Sequence, residues 1–351
     1  MSEHQVEVEP VTVRPAPAVR PEAYDAPTRA ALAHIDRQAV QDVRDNRPKN
    51  TQDSYEQDWA TWSRFCAETG VPLLAVTSGT LVMFVEWLWT QPGWRKGTLA
   101  APSTIDRRIT GTVVTARTDH ELTLEEGVAR LARNRLKQLV KEMEQDGEQR
   151  GRGQAPPLLV DHLIKISAAM PDNLMGIRDR SIVLTHFSVA GREHEIAATR
   201  VRDYADDPGG LLVDLRVSKV SPRTDPITFA SRPSICPVRA WHAWRDASGI
   251  ANQPNSPAYR RLHNRWHTPM EAGLSPEAIG DVITRAGQRA GIEIRFTGHS
   301  PRRGLATASR LKGHDRIVIA KQGGWAPGSK VLDDYLEVVD QWEDNALIGV
   351  M

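Results

Sequence analysis

Apolar residues recur at three- and four-residue spacing in four stretches of the first half of the chain, the pattern of amphipathic helices. The stretches are 51–65, 77–88, 103–114 and 125–143. No alternating pattern typical of a strand separates them. They therefore predict a small helical bundle over residues 46–145.

The first of these helices carries the largest apolar side chains, Tyr55, Trp59, Trp62 and Phe65. We interpret this aromatic face as core, because large rings on one face of a helix are usually buried. Thr51 or Asp53 is the predicted N-terminal cap, since either side chain can accept a hydrogen bond from the first turn.

The second half of the chain mixes helix and strand patterns. Helices are predicted at 160–170 and 177–190, and a further helix follows Ser275, which can cap it ahead of Pro276. Alternating apolar residues flank a polar, proline-containing turn within 209–229. This alternation predicts a β-hairpin.

Other segments have the composition of arms and connections. Residues 1–45 are proline-rich at their start and predict a disordered N-terminal arm, with only an alanine-rich helical pattern at 28–43. Residues 146–157 are rich in glycine, end in Pro-Pro and predict an interdomain linker. Residues 250–273 are polar and predict a surface loop. The last segment, 336–351, carries apolar residues in a helical stripe.

The size and composition are those of a soluble two-domain protein. Of the 351 residues, 40% are hydrophobic and 25% are charged. No apolar run is long enough to span a membrane, and the first residues lack the features of a signal peptide. Cys66 and Cys236 match no metal-binding spacing, so we expect both to be reduced, structural residues in a cytoplasmic protein.

Charge is unevenly distributed along the chain, although the net charge is only +1. Residues 1–45 contain five arginines and eight acids, and residues 331–351 contain six acids and no base. Residues 46–330 therefore carry a net charge of +10. A basic body is consistent with a phosphate-binding surface, although charge alone does not establish DNA binding.

The clearest chemistry lies between residues 299 and 335. His299 and Arg302 are three residues apart, so on a helical turn they point the same way. Arg302 can donate two hydrogen bonds to one phosphate, and His299 can add a third. Trp325 follows a Gly-Gly pair and supplies an indole N–H, while Tyr335 supplies a phenolic oxygen that can act as a nucleophile. This grouping predicts phosphoryl transfer.

This stretch resembles the C-terminal signature of the tyrosine recombinase (phage integrase) family, which combines His-x-x-Arg, Gly-Gly-His/Trp and a nucleophilic tyrosine. The tryptophan in place of the commoner histidine is most similar to the Cre-like members. Trp325 and Tyr335 are ten positions apart, one more than the family usually has, and Pro327-Gly328 would absorb the extra residue in the loop. The resemblance covers residues 47–347.

The family also has an Arg-x-x-Glu and a lysine between two strands, and both are found upstream. Arg192 and Glu195 match the first motif, which by itself would be read as an ordinary surface ion pair. Lys219 falls in the turn of the predicted hairpin. The competing lysines are Lys312, Lys321 and Lys330.

The resemblance implies a mainly α fold with a small β-hairpin or sheet, a helical core-binding domain over 46–145 and a catalytic domain over 158–335. It assigns catalytic roles to Arg192, Glu195, Lys219, His299, Arg302, Trp325 and Tyr335. Tyr335 would form a 3′-phosphotyrosine, and Lys219 would protonate the leaving 5′-oxygen. Because the phosphotyrosine stores the bond energy, no metal, ATP or other cofactor is expected.

The predicted DNA contacts follow from the family's domain arrangement together with basic positions in the sequence. They are Thr51, Arg107, Arg108, Arg150, Arg152, Glu277, Arg285 and Arg303. For Arg107 and Arg108 the alternative is a solvated helix face. For Glu277 the alternative is a first-turn acid that suits the helix dipole. Arg303 is expected to contact the DNA backbone at most.

The resemblance implies that the partner is double-stranded DNA with inverted-repeat half-sites. A homotetramer assembled on this DNA would recombine it through a Holliday junction. The complex would be associated with the nucleoid, and no membrane partner is expected. Segment 336–351 would pass to a neighbouring subunit, and docking on its own domain is the alternative. Two other functions stay open. A type IB topoisomerase would use the same chemistry without the exchanged segment, and a non-catalytic DNA-binding relative would lack the complete residue set.

Overall fold

The computed structural model describes residues 23–94, 96–218, 221–265, 267–336 and 347. The chain divides into two compact units, Met1–Gly153 and Gln154–Met351, and the division falls within segment 146–157. Helices and short antiparallel strands make up the regular structure of the described residues. The predicted fold class, mainly α with small sheets, is confirmed.

Unit 1 is helical in its described residues. Its helices are α1 (Ala26–Asp45), α2 (Lys49–Thr69), α3 (Ser78–Trp89), α4 (Pro102–Thr118) and α5 (Arg130–Gln145). Two details of the prediction were wrong. Neither Thr51 nor Asp53 caps α2, because the helix begins earlier with Pro48 at the N-cap. Helix α5 begins at Arg130 rather than Glu125, because Gly127 has a φ of 69° and the chain turns there.

Helix α1 corrects the expectation of a disordered arm for residues 26–45. Asp25 caps the helix by accepting a hydrogen bond from the Thr28 N–H at 2.8 Å, and Pro27 lies in the first turn. The alanine-rich sequence favours a helix once it is capped. No residue of α1 is buried, so these local signals define it. Residues 1–22 of the predicted arm lie outside the described residues.

The aromatic face of α2 is core from Trp59 to Phe65, as predicted, whereas Tyr55 is half-buried and lies outside the apolar cluster. Trp62 and Phe65 are fully buried, and Phe84 of α3 packs edge-on against Trp62 at 5.1 Å between ring centroids. The Trp62 indole N–H donates to the Leu73 carbonyl at 2.8 Å, so its polar atom is satisfied inside the core. Trp59 packs at the edge of this core.

Unit 2 contains the remaining elements. Its helices are α6 (Val160–Ala169), α7 (Leu174–Ser188), α8 (Glu193–Ala197), α9 (Pro237–Ala247), α10 (Pro276–Arg289), α11 (Ser300–Leu311), α12 (Arg316–Gly323) and α13 (Lys330–Leu336). Its strands are β1 (Tyr204–Asp207), β2 (Gly210–Leu215), β3 (Arg223–Thr228), β4 (Arg260–Leu262) and β5 (Pro269–Gly273). Ser275 caps α10, as predicted, by accepting from the Ala278 N–H.

The predicted hairpin is part of a three-stranded antiparallel sheet in the order β1-β2-β3. Strand β1 was missed because its Asp-Asp-Pro-Gly continuation reads as a turn, yet Tyr204 pairs with Val213. The predicted surface loop 250–273 is also partly wrong. Strands β4 and β5 pair within it, with Arg260 opposite Gly273 and Leu262 opposite Pro269.

Two apolar clusters organise unit 2. The larger one includes Val213, Trp241, Trp244, Tyr259 and Phe296, and joins the sheet to the helices around it. The smaller one gathers Ala190, Ala306, Ile319, Trp325 and Leu332. Because the smaller cluster lies where α7 ends and α11 to α13 meet, it brings residues 190 and 325 together. Cys66 in unit 1 and Cys236 in unit 2 are buried and form no disulfide.

Within the described ranges, none of the helices combines the length and the apolar character needed to cross a membrane.

Candidate active site

Arg192 and Glu195 form a reciprocal pair at the start of α8. The Glu195 carboxylate accepts a hydrogen bond from the Arg192 backbone N–H at 2.9 Å and another from Arg192 Nη1 at 2.8 Å. Glu195 is buried, whereas the Arg192 side chain is 21% exposed. Ser218 Oγ also donates to Glu195, at 3.0 Å. The carboxylate therefore fixes one side of the guanidinium and leaves another side open to an anion.

Arg302, in the first turn of α11, is buried and held by backbone carbonyls. Its Nη1 donates to the Ala190 carbonyl and, at 2.8 Å, to the Gly323 carbonyl. Its guanidinium lies 4.0 Å from the centre of the Trp325 ring. Among the described residues its Nη2 has no hydrogen-bond partner, although the atom is buried. Such a donor is costly unless a ligand accepts from it.

Trp325 lies against the Arg302 guanidinium, and Tyr335 lies against Trp325. The Trp325 ring is buried, and its Nε1 also has no partner among the described residues. Tyr335 packs edge-on against it at 6.2 Å between ring centroids. The guanidinium of Arg303 lies 5.6 Å from the centre of the Tyr335 ring. The predicted nucleophile and the predicted indole donor are therefore neighbours.

His299 is the N-cap residue of α11 and lies at the same site. The residue is exposed, but desolvation by its neighbours lowers the pKa of its ring, and the charges of Arg302, Arg192 and His194 lower it further. Burial also lowers the pKa of Arg302, to about 10, with Arg192 and Arg223 adding to the effect and Glu195 and Tyr335 opposing it. These influences show that the cations are crowded, an arrangement that a bound anion would relieve.

Arg223, on β3, is a member of this cluster that the sequence interpretation missed. Its Nε donates to Asp225 at 2.8 Å, its Nη2 donates to the Val189 carbonyl at 3.0 Å, and its Nη1 lies 3.5 Å from Glu195. The available signal was strand alternation, because residues 223, 225 and 227 of β3 all face inward. Charged residues such as Arg223 and Asp225 are rarely turned inward on a short strand unless they bind a partner there.

The two buried carboxylates of the cluster respond differently to it. Burial raises the pKa of Glu195, but the hydrogen bond from the Arg192 backbone and the charges of Arg223 and Arg192 outweigh burial and lower it overall. For Asp225 burial dominates over Arg223 and raises the pKa to about 6. Both carboxylates are therefore ionised at neutral pH, and Asp225 is the one that takes up a proton as the pH falls through about 6.

The predicted catalytic lysine, Lys219, lies outside the described residues. Its neighbour Ser218 bonds to Glu195, so the described chain reaches the site immediately before position 219. The competing Lys312, Lys321 and Lys330 are exposed on unit 2.

Three of the predicted DNA contacts of unit 1, Arg107, Arg150 and Arg152, have partners within that unit. Arg107 donates to Asp58 at 2.6 Å, and the guanidinium of Arg152 lies 3.9 Å from the centre of the Trp94 ring. Arg150 donates to the Trp89 carbonyl at 2.7 Å and lies over its ring. Arg108 is partly buried on α4, and burial lowers its pKa. Thr51 lies in the first turn of α2. Their contact with DNA stays a prediction.

The predicted contacts of unit 2 differ in exposure. Glu277 and Arg285 are exposed on α10, with Arg285 3.8 Å from Asp179. Arg303 is buried and donates to the Ala155 carbonyl at 2.8 Å. The structure thus places Arg303 behind Tyr335 rather than on an open surface.

Within the part of the chain that the structure describes, no group of three or more His, Cys, Asp or Glu side chains is arranged to hold a metal ion.

Solved structures of low sequence identity share this fold. The XerH site-specific recombinase in a post-cleavage complex with palindromic difH has a TM-score of 0.58 and 14% identity, over 85% of this chain and 80% of that chain. The Tn1549 transposon integrase with circular intermediate DNA has a TM-score of 0.53 and 13% identity, over 89% and 98%. The fold is that of the tyrosine recombinases and integrases.

Sequence comparison points to the same class. The chain is 25% identical over 312 residues to the integrase/recombinase xerD homolog of Selenomonas ruminantium, covering 86% of this chain and 85% of that protein. No protein-family model matches the chain. By fold and by sequence the chain is similar to enzymes of the tyrosine recombinase/integrase type. The particular similarity to Cre-like members stays a prediction.

Proposed function

We propose that this chain is a site-specific DNA recombinase that cleaves and rejoins DNA strands through a 3′-phosphotyrosine on Tyr335. The observation that carries the proposal is the pair of buried donors beside Tyr335. Within the described residues, Arg302 Nη2 and Trp325 Nε1 have no partner, although both are buried. A phosphodiester is an anion whose oxygens would accept from both.

The proposed chemistry assigns each residue a task. Arg192 and Arg302 neutralise the non-bridging oxygens, and His299 and Trp325 donate where negative charge grows during attack. The Tyr335 oxygen loses its proton and forms the new bond to phosphorus, and the bond to the 5′-oxygen breaks as that oxygen gains a proton. Religation reverses these steps with the 5′-hydroxyl of a partner strand, so the number of phosphoester bonds is unchanged.

Lys219 is the proposed general acid that protonates the leaving 5′-oxygen. The Lys219→Ala variant should fail on an ordinary diester but cleave a 5′-bridging phosphorothiolate, because sulfur leaves without a proton. If cleavage of the phosphorothiolate is not restored, Lys219 is not the general acid, and Lys330→Ala is tested in the same way.

The proposed partner is double-stranded DNA with inverted half-sites, held by a homotetramer that forms a Holliday junction in a cytoplasmic, nucleoid-associated complex. Of the predicted contacts, Thr51, Arg107, Arg108, Arg150, Arg152, Glu277 and Arg285 remain proposed, and Arg303 is set aside because it is buried.

An apolar groove of unit 2 supports the assembly that we propose. It has a volume of about 480 Å³ and is lined by residues that include Val160, Phe187, Leu305 and Val318. We propose that it accepts segment 336–351 of a neighbouring copy, whose sequence carries a helical apolar stripe. Most of that segment lies outside the described residues.

Deleting 337–351 should leave half-site binding intact and abolish cooperative filling of a full site. Unchanged cooperativity would instead mean that the segment docks on its own domain.

A binding selection followed by a cleavage assay tests the function. Randomised duplex DNA selected with the Tyr335→Phe variant supplies a binding sequence, which is then placed twice in one supercoiled plasmid. Wild-type protein should excise or invert the intervening DNA, and the selecting variant should not. Relaxation of a plasmid that lacks the sequence would indicate a topoisomerase instead, and binding without any strand transfer would indicate a non-catalytic relative.

A further inference from the structure

Three consecutive carbonyls precede Arg192, and each accepts a hydrogen bond from a buried side chain. Arg223 Nη2 donates to Val189 at 3.0 Å, Arg302 Nη1 donates to Ala190, and His186 Nε2 donates to Gly191 at 2.9 Å. We call residues 189–191 the clamped turn. The donors come from β3, α11 and α7, so the turn is fixed from three directions.

The clamped turn has an unfavourable backbone conformation that these bonds offset. Ala190 has a φ of 43°, in the left-handed region where a residue with a Cβ is strained. Such a conformation persists only where the surroundings enforce it. Arg192 lies two residues after Ala190. The turn therefore fixes the backbone position from which the Arg192 side chain extends.

Arg223 is the donor that connects the clamped turn to the rest of the site. It contacts Val189 and, through Nη1, Glu195 at 3.5 Å, and Glu195 in turn holds Arg192. A Cβ added at Gly324 would lie 2.8 Å from Arg223 Nη1, so the guanidinium also borders the turn before Trp325. Its side chain is 11% exposed, which leaves it little access to DNA.

We propose that Arg223 is a positioning residue that holds the clamped turn, Glu195 and the Gly323-Gly324 turn together, so that Arg192 and Arg302 present their donors to one phosphate. It acts through these residues rather than on the substrate. The inference rests on the proposed function, because it assumes that the two arginines bind the scissile phosphate.

Loss of Arg223 would change the protonation of Glu195. Burial pushes the pKa of Glu195 up, and Arg223 is one of the two arginine charges that keep it down. Arg192, Arg223 and Ser218 face this carboxylate directly, with Asp225, Arg302 and His186 close enough to interact. Without Arg223, Glu195 would bind a proton at a higher pH and release its hold on Arg192.

The experiment uses full-length protein and a nicked suicide duplex carrying the selected sequence. Arg223→Gln should lower the rate of covalent-complex formation by about 100-fold, the effect expected when reacting groups are misplaced by about an ångström. As the pH is lowered from about 8.5 to about 5.5, its rate should also begin to fall at a higher pH than the wild-type rate does.

Two further variants separate positioning from general stability. Arg223→Lys keeps a charge near Glu195 but loses the forked contacts, so it should restore the wild-type pH profile without the full rate. Arg216→Gln is the matched control. Arg216 directly follows β2 and bonds to Asp203 and Asp214, away from the clamped turn. It should retain both rate and profile.

The outcomes are distinguishable. If wild type forms no covalent complex on the selected duplex, the proposed function fails. If wild type cleaves and Arg223→Gln matches it, or loses rate without any shift of the pH profile, only the role of Arg223 is overturned. A thermal melt shows whether Arg223→Gln folds. If it does not, the cleavage rate and pH profile of Arg223→Lys decide alone. A full wild-type rate in Arg223→Lys would show that the forked contacts of Arg223 are not needed, and would overturn its proposed role.

Discussion

Two groups of arginines, one in each unit of the chain, bind their neighbours in opposite ways. In unit 1, Arg107 and Arg133 are bound to the acids Asp58 and Asp106 at 2.6 and 2.8 Å. In unit 2, Arg192, Arg223 and Arg302 converge on one place, with fewer carboxylates than they can bind. Arg302 keeps a buried donor without a partner among the described residues.

This difference shows why the count of basic residues is a poor guide to function. An arginine matched by its own acid stabilises the fold and contributes little to an anion site. Arginines held by carbonyls keep their charge for a ligand, because a carbonyl orients the guanidinium without neutralising it. Arg302 is held in this way by Ala190 and Gly323. The following changes test the contrast, from the largest expected effect on cleavage to the smallest.

Arg302→Ala should lower the rate of covalent-complex formation by about 100- to 1,000-fold, the loss expected when a preorganised donor to developing charge is removed. DNA affinity, measured by gel shift, should fall much less. Arg310→Ala, on the exposed end of the same helix, is the control and should cleave normally. Normal cleavage by Arg302→Ala would place the phosphate elsewhere.

Gly323→Ala should lower the same rate by about 100-fold through displacement of a reacting group. An added Cβ would lie 1.8 Å from Trp325 Cζ3, so the ring must move away from Arg302. Gly111→Ala is the matched change in unit 1, where the Cβ would lie 2.3 Å from Asp58 Oδ2. It should cost about 1–3 kcal/mol of stability in a denaturant titration. If both variants lost the same cleavage rate per folded molecule, the claim that only the unit 2 cluster positions the reacting groups would be contradicted.

Trp325→Phe should reduce cleavage by about 10-fold, since it keeps a ring over Arg302 but removes one neutral donor. Trp325→His restores a ring N–H and should recover part of the rate. Wild-type activity in the Phe variant would show that the indole N–H is not used.

Arg107→Gln should mainly affect folding, with an expected loss of about 1–3 kcal/mol at neutral pH because the buried Asp58 loses its partner. Burial already raises the pKa of Asp58, against the charges of Arg107 and Arg108. In the variant the folded-state pKa rises further, so the lost stability should return as the pH falls through that pKa. Thermal melts across pH would show this convergence. A loss that stays constant with pH would mean that Asp58 is not its origin.

The local signals of the sequence predicted most of the elements. Ser275 with Pro276 marks the start of α10, and the spacing of Trp62 and Phe65 marks a buried helix face. These predictions succeed because caps and periodicity act within a few residues. Strands β1, β4 and β5 were missed because they are short, polar and stabilised by pairing rather than by their own pattern.

The site was predictable only where residues fall in a recognisable order. His299, Arg302, Trp325 and Tyr335 lie in one stretch, and the fold keeps Arg302, Trp325 and Tyr335 in contact. Arg223 belongs to no such ordered motif, because its role comes from partners in the turn after α7 and on α8 that only the folded chain brings to it. The strain at Ala190 was equally invisible, since an alanine gives no sign of a positive φ.

The central claim is that Tyr335 is the nucleophile beside two buried donors that have no partner among the described residues. Its direct test is to trap wild-type protein on the nicked suicide duplex, digest the complex and locate the DNA-linked peptide by mass spectrometry. We predict a nucleotide adduct on Tyr335 and no complex from Tyr335→Phe. Tyr204 and Tyr259 are buried in the core of unit 2, so neither should react. A covalent complex that persists in Tyr335→Phe, or an adduct on any other residue, would contradict the account.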